Sequence, residues 1–151
     1  MVVKFDEIGD IWNLKRGDII SASDRNVLFT GPGVGNTPQK GINWIGEPPN
    51  YNLVIARCDE SSGYGDRWID ADANIFLYYL MVEMRGTTKS KINYASKENL
   101  ALLNQEQHEA PVLLMINQDD EIVVEGYFKV ETLCHDNPVH PGLDSVLLSR
   151  I

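Results

Sequence analysis

Cysteine is scarce in this chain: Cys58 and Cys134 are the only two, far apart and without CxxC spacing. That spacing, with no secretory leader, points to free thiols in a reducing cytoplasm rather than to structural staples. No apolar run approaches the roughly 18–20 residues that span a bilayer, so no membrane partner is expected. The opening Met1-Val-Val-Lys-Phe-Asp-Glu7 lacks a basic start and a long apolar run, and does not read as a signal peptide. Internal repeats and long linkers are missing as well. Basic charge is in short supply: 13 Lys and Arg against 22 Asp and Glu leave a net charge of −9. Such a balance argues against a general polyanion binder.

What is present describes a folded domain. Hydrophobic residues make up 43% and charged residues 23%, and three Trp exclude a disordered or low-complexity chain. A length of 151 residues corresponds to one domain, expected to span 1–151. At that size a chain buries roughly 68–70% of its unfolded surface, which suffices without disulfides or metals. The charge is uneven. From Met84 to Lys97 the chain carries Arg85, Lys89, Lys91 and Lys97 and no acid, leaving 9 bases against 22 acids elsewhere. A basic segment on an acidic body suits a local phosphate-contacting edge, although a solvated loop has the same composition.

The coarse element pattern is mostly strands. Phe5, Ile8, Ile11 and Trp12 fall at near-helical spacing, predicting a short amphipathic helix over 4–14. Asp18-Ile-Ile-Ser21 and Asn26-Val-Leu-Phe-Thr30 read as strands. Glycine and proline punctuate 31–49, predicting a long loop with a short strand around Ile42-Asn-Trp44. Strands follow at Tyr51 to Arg57, Ile75 to Met81, Ala110 to Ile116 and Glu121 to Leu133, with turns at Asp70 to Asn74 and Asn117 to Asp120. Ser96 is placed to N-cap a helix over 97–105. Residues 134–151, with Pro138 and Pro141, read as a tail, a linker or a last strand. The inventory predicts an α+β fold, a mostly antiparallel barrel or sandwich with two or so peripheral helices.

Catalytic constellations are weak. Gly31-Pro-Gly-Val-Gly35 lacks the Gly-Lys-Ser/Thr of a phosphate-cradling loop and the helix of a dinucleotide fingerprint. Cys134, His135 and His140 fall short of a four-ligand metal set at recognised spacing. His108 has no Ser or Cys partner in a nucleophile context, and Asp66, Asp70 and Asp72 read first as turn acids. The chain therefore reads as non-catalytic, with no cofactor and no metal.

The most informative stretch is Gly63-Tyr-Gly-Asp-Arg-Trp-Ile-Asp70 followed by Phe76-Leu-Tyr78. Tyr64, Trp68 and Tyr78 serve equally well as core aromatics, and Asp66 as a turn cap. They also suit an aromatic cage with one acid, fit for a planar heterocycle. Stacking contributes roughly 1–3 kcal/mol per base, and a carboxylate accepts specifically from the exocyclic amine of cytosine.

The order of several weak motifs carries a family resemblance. Gly41-Ile-Asn43, Pro49-Asn-Tyr-Asn-Leu-Val-Ile-Ala56, Gly63-Tyr64-Gly-Asp66, Phe76-Leu-Tyr78, Ser96-Lys-Glu-Asn-Leu-Ala-Leu102 and Glu125-Gly-Tyr-Phe-Lys-Val-Glu131 together resemble the SRA (YDG) domain. The match covers about residues 26 to 133, and such domains in bacteria front modification-dependent restriction endonucleases. The resemblance implies a PUA-like barrel that flips a modified cytosine, such as 5-methylcytosine, out of double-stranded DNA. Tyr64, Asp66, Trp68 and Tyr78 would then form the base pocket. Gln39, Lys40, Asn43, Arg67, Arg85, Lys89 and Lys91 would contact DNA, Gln39 from the loop that fills the vacated hole. Cleavage would come from a nuclease domain or subunit outside this chain.

Three departures accompany the resemblance. The acid follows Tyr64 by two positions, where many members place it at three and this chain has Arg67. After Tyr78 the family continues Thr-Gly-x-Gly, and this chain reads Tyr79-Leu-Met-Val82. The loop from Gly86 to Ser96 is short for a duplex-penetrating finger. The alternative expectation is a PUA-like domain that has lost base flipping and binds a protein or a small ligand.

Overall fold

A computed structural model of the chain describes residues 2–3, 14–21, 34–35, 41–59, 66–85, 88–92, 94–118, 120–135 and 144–151. The elements are β1 (Val2–Val3), β2 (Ile19–Ser21), β3 (Val34–Gly35), β4 (Ile42–Glu47), β5 (Asn50–Asp59), β6 (Arg67–Trp68) and β7 (Ile75–Tyr79). They continue as β8 (Val82–Arg85), β9 (Thr88–Ile92), α1 (Lys97–Leu103), α2 (Gln105–His108), β10 (Val112–Gln118), β11 (Glu121–Cys134) and β12 (Ser145–Arg150). One large sheet runs β3-β4-β5-β10-β11-β12-β7-β6, with β2 paired to β11 and β1 to β2; β8 and β9 form a separate hairpin.

The centre of the sheet is the pair β5 and β10, which run parallel with Val54 opposite Val112. Parallel strands are stable when covered on both faces, and here both faces are apolar. Val54, Ala56, Cys58, Val112, Leu114 and Ile116 point into the larger core, with α1 and Phe76, Tyr78, Phe128, Val146 and Leu148. The alternate residues Leu53, Ile55, Leu113 and Met115 point into a second cluster with Leu14, Ile20, Ile122 and Val124. Side chains alternate along a strand, so a run such as Leu53-Val-Ile-Ala56 fills both clusters at once. Each fully buried Leu, Ile or Val contributes roughly 1.5–3 kcal/mol.

The mostly antiparallel α+β expectation agrees with this arrangement, but closure into a barrel does not: β3 and β6 are the ends of the described sheet path and are not paired to each other. Two sequence expectations are corrected. β4 is a full strand hairpinned to β5, and not a brief interruption of a loop. The expected single helix over 97–105 is two, α1 and the one-turn α2, meeting at Asn104. Of the three readings open for the end of the chain, residues 145–150 take the strand, and β12 is inserted between β11 and β7. The helix expected over 4–14 and the strand at Asn26 to Thr30 lie outside the described residues, apart from Leu14.

Candidate nucleic-acid interface

β7 places most of the candidate side chains. It lies between β12 and the two-residue β6, with Arg67 opposite Leu77 and Trp68 opposite Phe76. Upstream, the Asp70 carboxylate accepts the backbone N–H groups of Asn74 and Ile75, so it is a turn acid as expected. The Ile75 N–H bond is the main reason its carboxyl sits below the usual range.

Asp66 stands where the β6–β7 ladder ends. Its Oδ1 accepts the Tyr79 N–H at 2.6 Å, extending the ladder by one side-chain bond. Burial raises the pKa of the Tyr79 hydroxyl, and the exposed Arg67 acts on it in the opposite sense. A half-buried carboxylate and an exposed guanidinium thus both act on Tyr79, which the resemblance had not singled out as a pocket residue.

Tyr78 takes the core position that the sequence allowed beside a pocket role. It is only 4% exposed and belongs to the larger core. Its hydroxyl donates toward Arg57 O at 2.9 Å and Gly41 O at 3.2 Å, pinning β7 across the core to β4 and β5. Gly41 permits that approach, since a Cβ there would stand 3.1 Å from Arg57 O and 3.3 Å from the Tyr78 hydroxyl. Burial, reinforced by the negative charge of Asp66, pushes the Tyr78 pKa well above its ordinary value. As folded, Tyr78 is a core aromatic and not an open stacking face. Trp68 is likewise occupied. Its ring meets Phe76 edge-on at 5.0 Å, and the Arg150 guanidinium lies 5.8 Å from its centroid.

Asn43 has no exposed surface: β4 holds it inside. Arg57, 7% exposed, is the buried cation on the neighbouring strand that sequence reading missed. Arg85, Lys89 and Lys91 sit on the β8–β9 hairpin, in the register Arg85 opposite Thr88, Met84 opposite Lys89 and Glu83 opposite Lys91. The hairpin leaves the same end of β7 as Asp66. Its root is fixed by Asn99 of α1, whose Oδ1 accepts the Met81 N–H at 2.8 Å and whose Nδ2 donates to Met81 O at 3.0 Å. Tyr64, Gln39 and Lys40 lie outside the described residues.

A polar cluster at this end was also not read from the sequence. Buried Asp144 accepts from the Tyr94 hydroxyl and pairs with His135 Nδ1 at 3.0 Å, and its carbonyl accepts the Leu80 N–H. No group of three or more potential metal ligands occurs among the described residues. Cys58 and Cys134 are both free thiols, and no described helix is long and apolar enough to cross a membrane.

Comparison with solved structures places the fold. The DNA recognition domain of the cytosine modification-dependent restriction endonuclease LpnPI superposes with a TM-score of 0.68 at 14% identity, over 100% of this chain and 79% of that one. The SUVH5 SRA domain in complex with hemimethylated CG DNA gives 0.62 at 20% identity, over 91% and 89%. The same domain bound to fully hydroxymethylated CG DNA gives 0.64 at 18%, over 91% and 89%. No protein-family model matches the chain, and no curated protein matches it by sequence. The fold is that of an SRA domain. The agreement covers 91–100% of this chain and 79–89% of the other in these comparisons.

Proposed function

We propose that this chain is a non-catalytic reader of modified cytosine in double-stranded DNA and the specificity module of a modification-dependent restriction system. One observation carries the reading: the chain shares its fold, end to end, with the recognition domain of LpnPI. In this reading a flipped base enters beside Asp66. A carboxylate accepts at up to about four positions, so the bond to Tyr79 leaves capacity for the exocyclic amine of cytosine. Tyr64 supplies the stacking face. Arg67 and the β8–β9 hairpin contact the backbone, and cleavage belongs to a nuclease domain or subunit.

A second reading, a domain that has lost flipping and binds another ligand, is favoured by one feature. The Tyr78 ring is committed to the core and its hydroxyl to β4 and β5. The discriminating experiment uses one short duplex carrying cytosine, 5-methylcytosine, 5-hydroxymethylcytosine, glucosylated hydroxymethylcytosine or N6-methyladenine, at low and moderate salt. The reader predicts a preference of tenfold or more for one cytosine mark, about 1.4 kcal/mol, retained as salt rises. Asp66→Asn and Tyr64→Ala should abolish that preference while leaving the unfolding free energy in urea within about 1 kcal/mol of the parent. A 2-aminopurine opposite the mark should brighten on binding, as an unpaired base does. Uniform weak binding that vanishes with salt would select the second reading.

A further inference from the structure

The far end of the β7–β12 pair carries a cleft that the DNA reading does not use. β12 begins beside Tyr79 and ends at Arg150, near Asn74. At about 3.3 Å per residue the strand separates the two ends by roughly 17 Å. The cleft measures about 580 Å³ and is walled by Pro111, Tyr127 and Ile151, a size and lining typical of ligand sites. Tyr127 is held by its hydroxyl on Leu14 O at 3.3 Å, and the Ile151 N–H is bonded to Tyr127 O at 3.0 Å. The walls are thus fixed, yet Ile151 leaves 73% of its surface in water.

Its rim is cationic on a chain of net charge −9. Gly126, at φ +102°, forms the floor between Arg150 and Arg16; a Cβ there would stand 3.2 Å from Arg150 Nη1 and 3.5 Å from Arg16 Cβ. Arg150 is spoken for: it donates to Glu125 O, to Ala73 O at 2.6 Å and to Asn74 Oδ1 at 3.2 Å, with the Glu125 carboxylate 4.0 Å away. Lys15 lies 3.5 Å from Asp18. Arg16 is exposed and has no carboxylate within ion-pair distance among the described residues. Its charge, after burial, is the main influence lowering the Arg150 pKa, which marks two like charges facing one another. An incoming carboxylate would relieve that repulsion.

The geometry points to a docking site for an acidic segment of a partner protein, with Arg16 taking a carboxylate and the Tyr127–Ile151 walls taking an adjacent bulky apolar side chain. A nucleic-acid backbone matches the cations but brings nothing to cover the apolar walls.

The test titrates the full chain, labelled with ¹⁵N, with a fluorescein-tagged synthetic peptide in which glutamates flank a leucine and a phenylalanine. Saturable binding is expected, with amide shifts centred on Arg16, Gly126, Tyr127 and Ile151. Serine in place of the two apolar residues, or lysine in place of the glutamates, should weaken it. Arg16→Glu and Ile151→Asp, both at exposed positions, should each weaken the peptide by about tenfold while leaving modified-duplex binding unchanged and the protein no less stable to urea. Absence of saturable binding, or binding indifferent to Arg16→Glu, would overturn the proposal. Displacement of the peptide by an unmodified duplex would overturn it too, making the cleft a phosphate contact.

Discussion

His108 shows how closely a single ring is specified. Ala101 O can only accept and the Ala110 N–H can only donate, so Nε2 carries the proton at 2.8 Å from one and Nδ1 accepts at 3.0 Å from the other. The ring also packs on Tyr51, centroids 4.8 Å apart. Burial lowers the His108 pKa, and protonation would cost it the Ala110 bond. The folded state therefore binds the proton less readily than the unfolded chain, whose His titrates near 6.5. The stability from neutral His108 is complete above about that pH and declines as the pH falls through it toward the lowered folded value. Urea midpoints should drop between pH 7.5 and 5.5, and His108→Ala should narrow that drop while costing about 1–3 kcal/mol at pH 7.5. Asp70 and Ser96 were legible in the sequence because their partners lie within five residues. Asn43 and Arg57 were not, and for Tyr78 the sequence left core and pocket equally open. Alternation tells which residues share a face, but where both faces are covered it does not say which polar groups are shut in.

At the scale of elements, α1 governs the basic hairpin. Ser96 caps the helix through Oγ on the Asn99 N–H at 3.2 Å, so Ser96→Ala should cost about 1 kcal/mol. Asn99 is fully buried and satisfies both polar groups of Met81. Asn99→Ala leaves them unpaired and should cost about 2–6 kcal/mol in urea unfolding, at about 1–3 kcal/mol for each orphaned group. Amide exchange in β8 and β9 should rise with it, whereas Ser96→Ala should spare the hairpin. The cap was readable from Ser96 onward; the use of Asn99 was not, because Met81 lies in another element. The place of β12 between β11 and β7 escaped for a related reason. Ser145 to Arg150 alternates Val146 and Leu148 inward, but a short strand after two prolines gives no sign that it belongs mid-sheet.

For the whole molecule, charge sets the terms of any DNA contact. An acidic body offers few cations, and the hairpin contributes Arg85, Lys89 and Lys91. With Arg67 as a fourth cation and about 0.9 counterions released per neutralised phosphate, the plot of log K against log salt should have a slope of about −3.6. Lys89→Ala combined with Lys91→Ala should lower its magnitude by about 2 and weaken all duplexes alike, leaving the ranking of marks intact. The order of strands has a consequence for biosynthesis. β12 is the sheet partner that joins β7 to β11, yet it is the last strand in the sequence. A ribosome making roughly 5–20 residues per second releases β7 many residues before β12 emerges. During that interval Asp66, Tyr78 and Tyr79 belong to a nascent chain whose sheet is incomplete, so the end of the sheet around them is assembled after the β5–β10–β11 body has had time to form.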